Sequence, residues 1–383
     1  MTVPPTEHVA EYRNRIVGRL HEVYGRHARI RCLSTRALGY SISFRFVVDR
    51  DHGPAETLFA KVRRASKFGG YEAINPESKT ARLGRLEYLT LERAHAWFSN
   101  RTPDLGVVKP VTYVEECHAL VVTAAEGMAV DEIARRRHPL QLAAVSRAGR
   151  WLRHFHLDVA DPVTRGWQAA PHLARFAKMR AALIEAGADE ALVSSFCERI
   201  AAQAGRLDGA PCVHTLAHGD YKLRHIWTTP TRMEVLDFGN VHTAPVVEDL
   251  AAFLVELEVG EFAAVRPPLP GAAALSAAFL DAYGPIDSPA TLAVQLVLAR
   301  MKKWARRRVR PSSTPAARRV QRWLRLTGTD ELARRQLIDP FFTARIESEI
   351  AWLERRASSA APALPYTGTL AEVMSLPLGS ESA

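Results

Sequence analysis

The sequence predicts an α+β protein in two lobes, a small β-rich one followed by a larger helical one, and three observations carry that expectation. Short β-branched and aromatic runs dominate up to about residue 124, whereas Ala-, Leu- and Arg-rich helical periodicity takes over from there to about residue 356. The helical text is interrupted once, at 214–241, by two short strand-like runs, HIWT and MEVLDF. The 383 residues, 47% of them hydrophobic, suffice for two or three units with real cores, which excludes a disordered, collagenous or mini-protein chain. The expected organisation is an N-lobe over 1–124, a C-lobe over 125–356 and a tail over 357–383.

Taken in order, residues 7–25 place Val9, Tyr12, Ile16, Leu20 and Val23 at helical spacing and stop near Gly25. Arg29 to Asp49 reads as two strands around Gly39, and ETLFAKV as a third. KFGGYEAINPESK is a polar surface loop, and ARLGRLEYLTLERAHAWF a helix of about four turns. VVKPVTYVE and HALVVTA add two strands. Beyond them LQLAAVSRAGRWLRHFHLDV and the text around 185–205 are helical, and helices resume after the embedded hairpin, whose turn spans Thr229 to Arg232. No internal repeat is present, and the tail is small, Pro-containing and weakly patterned.

The formal charge of +10 is local. Eleven of the 51 basic residues and no acidic one fall between Arg300 and Arg325, leaving 40 basic residues against 41 acidic ones elsewhere. Cys32, Cys117, Cys197 and Cys212 form no C-x-x-C pair, so neither a zinc site nor a disulfide framework is expected. With no apolar signal core and no run near the ~18 apolar residues of a membrane span, a soluble protein of the reducing cytoplasm is expected.

The chemistry is concentrated in HGDYKLRHIW, 218–227, and VLDFGN, 235–240. Asp220 and Asp237 flank a short hairpin that brings both carboxylates to one side. Phosphoryl transfer uses such a pair, one to accept a proton from the attacking hydroxyl and one to hold Mg²⁺ on the nucleotide phosphates. No G-x-x-x-x-G-K-[ST] occurs, which argues against a P-loop enzyme.

These motifs, with Asp249-Leu250-Ala251 after them, resemble the aminoglycoside phosphotransferase and choline kinase family, small-molecule kinases on a protein-kinase-like fold. The resemblance covers roughly 28–285 and implies ATP and Mg²⁺ as cofactors. It implies Asp220 as catalytic base, Asp237 as principal metal ligand, and His218 and Asp249 as supports of the loop. It also calls for a phosphate-clamping lysine on the third strand, Lys61, fixed by a helix carboxylate, Glu87 with Glu92 as competitor. Gly39, Tyr40 and Ser41 would form the turn over the phosphates, and Val122 to Ala124 the connection against which adenine rests. Lys222 would contact the transferred group or remain a surface lysine.

One position departs from the pattern. Where the family carries asparagine, five residues after the catalytic aspartate, this chain has His225, and imidazole is a softer metal ligand. His225 could bind the metal less well, leave the work to Asp237, or mark a catalytically silent nucleotide-binding module. Retention of Lys61, Asp220 and Asp237 favours an active kinase. His154 and His156 read as packing or capping residues, and Arg135 to Arg137 as a solvated helix end.

The basic segment lies on the expected acceptor side, with Val294, Val297, Met301 and Trp304 along one stripe. It reads either as a solvated face or as an attractor of anions. Aminoglycosides are polycations, so the acceptor expected is a hydroxyl of a small metabolite or sugar, either uncharged or already carrying negative charge. Nucleic acid is not expected as a partner, because the segment lacks an aromatic platform beyond Trp304 and Trp323; a weak membrane-surface contact through 300–325 is left open.

Overall fold

A computed structural model of the chain describes residues 6–38, 41–50, 53–63, 78–136, 139–262, 271–309 and 334–358. Gly39 and Tyr40, residues 67–77 of the expected loop at 67–79, the basic residues from Arg310 to Arg325 and the tail beyond Ser358 lie outside the described residues, and the loop's last two residues, Ser78 and Lys79, instead start a helix. The described residues show the expected mixture of helices and antiparallel sheet. They form two compact units, one of residues 1–159 with 218–242 and one of 160–217 with 243–383. The expected lobe boundary at 124 falls inside the first unit.

In the first unit α1 (Thr6–Tyr24) buries Tyr12, Ile16 and Leu20, while Val23 remains 45% exposed. Gly25, at φ +91°, ends it, its N–H bonding back to the His21 carbonyl at 3.0 Å. A five-stranded antiparallel sheet follows in the order β1-β2-β3-β6-β5, comprising β1 (Arg29–Ala37), β2 (Ser41–Asp49), β3 (Glu56–Arg63), β5 (Pro110–Val114) and β6 (Ala119–Thr123). Strand alternation decides what each face does. Leu58, Ala60 and Val62 of β3 join Ile42, Phe44, Phe46 and Val48 of β2 against α1, so Lys61 and Arg63 project from the opposite face.

Helix α2 (Lys79–Arg101) begins at Ser78, whose hydroxyl accepts from the Ala81 N–H at 3.1 Å. It buries Ala81, Gly84, Glu87, Leu91, Ala94 and Phe98, a helical stripe with one carboxylate in it. The hairpin β10 (Ile226–Thr228) and β11 (Met233–Val235) sits between β4 (Leu105–Val107), parallel to β11, and β7 (Met128–Ala129), antiparallel to β10. That pairing explains why 218–242 belongs to the first unit. The short α3 (Val130–Arg136) and then α4 (Gln141–His154) complete it, α4 running on into a π-helical turn at Phe155–Val159. His154 meets Asp158 at 2.7 Å and His156 is fully buried, while Arg136 is exposed at the end of α3.

The second unit contains β8 (Val163–Gly166), α5 (Ala169–Glu185), α6 (Glu190–Arg206), β9 (Pro211–Ala217), β12 (His242–Pro245), α7 (Val247–Phe262), α8 (Ala272–Tyr283), α9 (Pro289–Val309) and α10 (Asp339–Ser358). Its three strands pair in the order β12-β9-β8. The stripe of α9 is core, with Val294, Val297 and Met301 fully buried and Trp304 nearly so.

Three of the basic residues expected on a solvated or ligand-facing surface are instead engaged within this unit. Arg300 is fully buried between Glu258 of α7 and Glu349 of α10, each at 2.8 Å. Burial opposes its charge, but Glu258 and Glu349 outweigh that cost and raise its pKa. Arg308 bonds Asp339 at 2.8 Å and the carbonyls of Ala186 and Gly187, and Lys303 bonds Glu256. Their charge is met by carboxylates far away in the sequence, so these three cations lend no support to an anionic acceptor.

Candidate active site

The site assembles on the exposed face of β3, the buried stripe of α2 and the two loops flanking the hairpin, all in the first unit. Lys61 Nζ donates to Glu87 Oε1 at 2.5 Å and to Asp237 Oδ1 at 2.8 Å. Glu87, 1% exposed, also accepts from Arg63, at 3.1 Å from Nε and 2.7 Å from Nη2. One buried carboxylate is therefore matched by two cations, which offsets its desolvation. Burial works against the Lys61 charge, yet Glu87 and then Asp237 outweigh it and raise the pKa of the amine. The competitor Glu92 lies on an exposed part of α2 and accepts from the Tyr88 hydroxyl at 2.5 Å.

Arg63 was not legible as a site residue, although its period-two relation to Lys61 places both on one face.

Asp237 adopts φ +68°, a left-handed conformation that is costly for a residue with a Cβ. The Lys61 ammonium holds its carboxyl well below the usual carboxylate range in spite of burial. His225 closes a 3₁₀ turn, Leu223–His225, and is 7% exposed. Its Nδ1 lies 3.1 Å from the Asp220 carbonyl oxygen, and its Nε2 lies 3.3 Å from Asp237 Oδ2. Burial pushes its pKa down to about 4, so the imidazole is neutral at pH 7. Lys222 Nζ contacts both carboxylate oxygens of Asp220 at 2.5 Å. One ligand atom from each of Asp220, His225 and Asp237 falls within a 4.8 Å cluster.

Two carboxylates and a neutral imidazole suit a divalent cation. The fit is one of donor chemistry: hard oxygens and one nitrogen converge, and a bound ion would displace the Lys61 and Lys222 ammonium groups from the carboxylates they now meet.

The loop that carries Asp220 has little freedom. Gly219 sits at φ +72°, and a Cβ there would lie 2.2 Å from the Asn240 carbonyl oxygen, so the H-G-D glycine is a steric requirement. His218 is fully buried, its ring 4.7 Å from that of Phe238, and its Nδ1 accepts from the Asp220 N–H at 3.4 Å. Tyr221 stacks on Trp151 at 5.4 Å and donates to the Ala148 carbonyl at 2.8 Å. Trp151 in turn donates to the Gly106 carbonyl at 2.9 Å. This aromatic scaffold, which the motifs did not reveal, anchors the loop from beneath.

The remaining candidates lie elsewhere. Ser41 opens β2, its carbonyl accepting from the Leu38 N–H at 2.8 Å, and Ser43 pairs with Lys61 in the ladder. Val122 pairs with Phe59, and the Ala124 N–H is engaged by the Thr57 carbonyl at 2.9 Å. Asp249 is buried near the start of α7 in the second unit. That unit also holds a cavity of about 720 Å³ lined by Trp167, His172, Arg175, Asp208, His214 and Glu248 among others, none of them a candidate from the motifs.

A sequence model of the phosphotransferase enzyme family matches residues 78–296, more than half of the chain. The chain belongs to this family. Membership makes it an enzyme of the small-molecule kinase class that the resemblance implied. Similar solved structures include a glucosamine kinase in complex with glucosamine, ADP and inorganic phosphate, at 19% identity over 81% of this chain and 83% of that one, with a TM-score of 0.46. An aminoglycoside-3'-phosphotransferase of type VIII is similar at 20% identity over 74% and 98%, with a TM-score of 0.41. An amicoumacin kinase in complex with AMP-PNP, Ca²⁺ and Ami is similar at 12% identity over 86% and 96%, with a TM-score of 0.46. Among curated proteins none matches. No helix among the described residues is long and apolar enough to cross a membrane.

Proposed function

We propose that this phosphotransferase moves the γ-phosphoryl group of ATP to a hydroxyl of a small molecule, a sugar, an amino alcohol or an antibiotic-like metabolite. The observation that carries the reading is the Lys61 ammonium, held between Glu87 and Asp237. A lysine fixed by a buried carboxylate presents a positioned charge to nucleotide phosphates, and positioning with electrostatic stabilisation is most of what phosphoryl transfer asks of a protein.

In this reading Glu87 and Arg63 orient Lys61, and Asp237 with His225 would hold a divalent ion. That ion, when bound, neutralises charge on the phosphates. Asp220 accepts the proton of the attacking hydroxyl, and Lys222, now bridging the Asp220 oxygens, shifts toward the phosphoryl group as the acceptor arrives. Residues 1–124, with Ser41 and the turn before it, cover the nucleotide, while 125–356 supply the catalytic loop and the acceptor side.

The test is divalent-metal-dependent ATP turnover across a panel of hydroxyl compounds, with ATP binding measured in parallel. Turnover with at least one acceptor is expected. ATP binding without turnover would indicate the silent nucleotide-binding module, and neither binding nor turnover would sink the proposal.

A further inference from the structure

The departure of this chain from its family lies in the metal cluster, and the geometry there is specific. The Asp220 backbone carbonyl can only accept, so the His225 Nδ1 at 3.1 Å from it is the N–H donor. A neutral ring with its proton on Nδ1 leaves a lone pair on Nε2, and Nε2 faces Asp237 Oδ2 at 3.3 Å. A backbone carbonyl that fixes the tautomer of a histidine, so that the other nitrogen points at an acidic oxygen, is the arrangement found behind metal-ligating imidazoles.

Asp237 Oδ1 is met by Lys61, which leaves Oδ2 as the oxygen that faces His225 Nε2. Metal bonds of about 2.0–2.2 Å place adjacent ligand atoms about 3.0 Å apart in an octahedron and about 3.4 Å apart in a tetrahedron. The observed 3.3 Å is within a few tenths of an ångström of both values, so sharing one ion asks for only a small shift of the two side chains.

We infer that His225 and Asp237 form a nitrogen–oxygen ligand pair that shifts the metal preference of this kinase from Mg²⁺ toward first-row divalent ions of the Mn²⁺ to Zn²⁺ series. Mg²⁺ is hard and favours all-oxygen surroundings, whereas these ions accept imidazole readily. The inference rests on the reading of Asp237 as a metal ligand and adds which metal the site selects.

The experiment uses the full chain with a non-hydrolysable ATP analogue. Mn²⁺ affinity is measured by its electron paramagnetic resonance signal, Mg²⁺ affinity by competition. His225→Asn is expected to lower the preference for Mn²⁺ over Mg²⁺ by about tenfold, the lower end of what the loss of even an outer-shell partner costs in metal affinity. Because a variant could fold poorly, pulsed resonance on the wild-type protein carrying ¹⁵N-labelled histidine gives an independent readout: a ¹⁵N coupling on bound Mn²⁺ is expected. A preference unchanged within twofold in a folded His225→Asn protein, or no ¹⁵N coupling, overturns the inference. Asp237→Asn separates the two levels. If it abolishes Mn²⁺ binding while His225→Asn leaves selectivity intact, only the role of His225 fails. If it leaves Mn²⁺ binding unchanged, the assignment of the metal site fails with it.

Discussion

Replacing Glu87 by Gln keeps the shape of the side chain and removes the charge that fixes Lys61. In the wild type that carboxylate is 1% exposed and accepts three hydrogen bonds from Lys61 and Arg63. Removing one partner of a buried ion pair costs about 3–5 kcal/mol. Here the cost is discounted to about 2 kcal/mol, because the two cations are partly solvated, Lys61 keeps Asp237, and the amide still accepts one bond. Urea unfolding should show that loss, with the transition midpoint lowered and its slope unchanged. Lys61, no longer held from behind, should settle on Asp237, where it competes with a divalent ion. The expected consequence is a fall in kcat/KM for ATP of about 10- to 100-fold, equivalent to about 1.4–2.7 kcal/mol. Glu92→Gln, on the exposed part of the same helix, should change neither quantity. Equal kinetics for Glu87→Gln and wild type, or a larger effect from Glu92→Gln, would refute the assignment of the clamp.

Arg300→Met should destabilise by about 3–5 kcal/mol, because it strands Glu258 and Glu349 in the core, whereas Arg306→Glu on the exposed side of α9 should stay within about 0.5 kcal/mol, both read by urea unfolding. Gly219→Ala forces a Cβ into the Asn240 carbonyl at a left-handed φ, so turnover should fall by more than about tenfold, with a clear drop in melting temperature. His172 is 5% exposed and bonded to Gln295, and burial lowers its pKa to about 4. Both states are neutral above pH 7. As pH falls below about 6.5 only the unfolded chain takes the proton, so up to about 3 kcal/mol is lost between there and pH 4. His172→Gln should flatten that part of the stability profile, and an unchanged profile would mean the ring is not desolvated.

Local text indicated which of the candidate residues come together. Lys61 was legible because alternation along ETLFAKV and a following amphipathic helix place a lysine and a carboxylate on adjoining elements. Asp220 and Asp237 were legible because a turn at Thr229 to Arg232 folds their flanks together. Arg63 shares a strand face with Lys61, but only its pairing with Glu87 of the following helix sets it apart from a solvated arginine. The burial of Arg300 and Arg308 was hidden for a deeper reason: their partners Glu258, Glu349 and Asp339 lie 31–49 residues away. A charge count along the chain registers the cations and cannot register that three of them are internally matched. The units were illegible for the same cause, since 218–242 joins the first unit through strand pairing with β4 and β7, two segments about a hundred residues earlier.

The central claim is that Asp220 acts on the acceptor hydroxyl while Lys61 and Asp237 act on the nucleotide. Its most direct test is single-turnover transfer of labelled γ-phosphate by Asp220→Ala, with ATP affinity measured on the same protein. Transfer reduced by at least about 10³-fold with ATP affinity within about threefold of wild type is the result the account predicts. Transfer at the wild-type rate, or loss of ATP binding without a change in the rate of transfer from bound ATP, would contradict it.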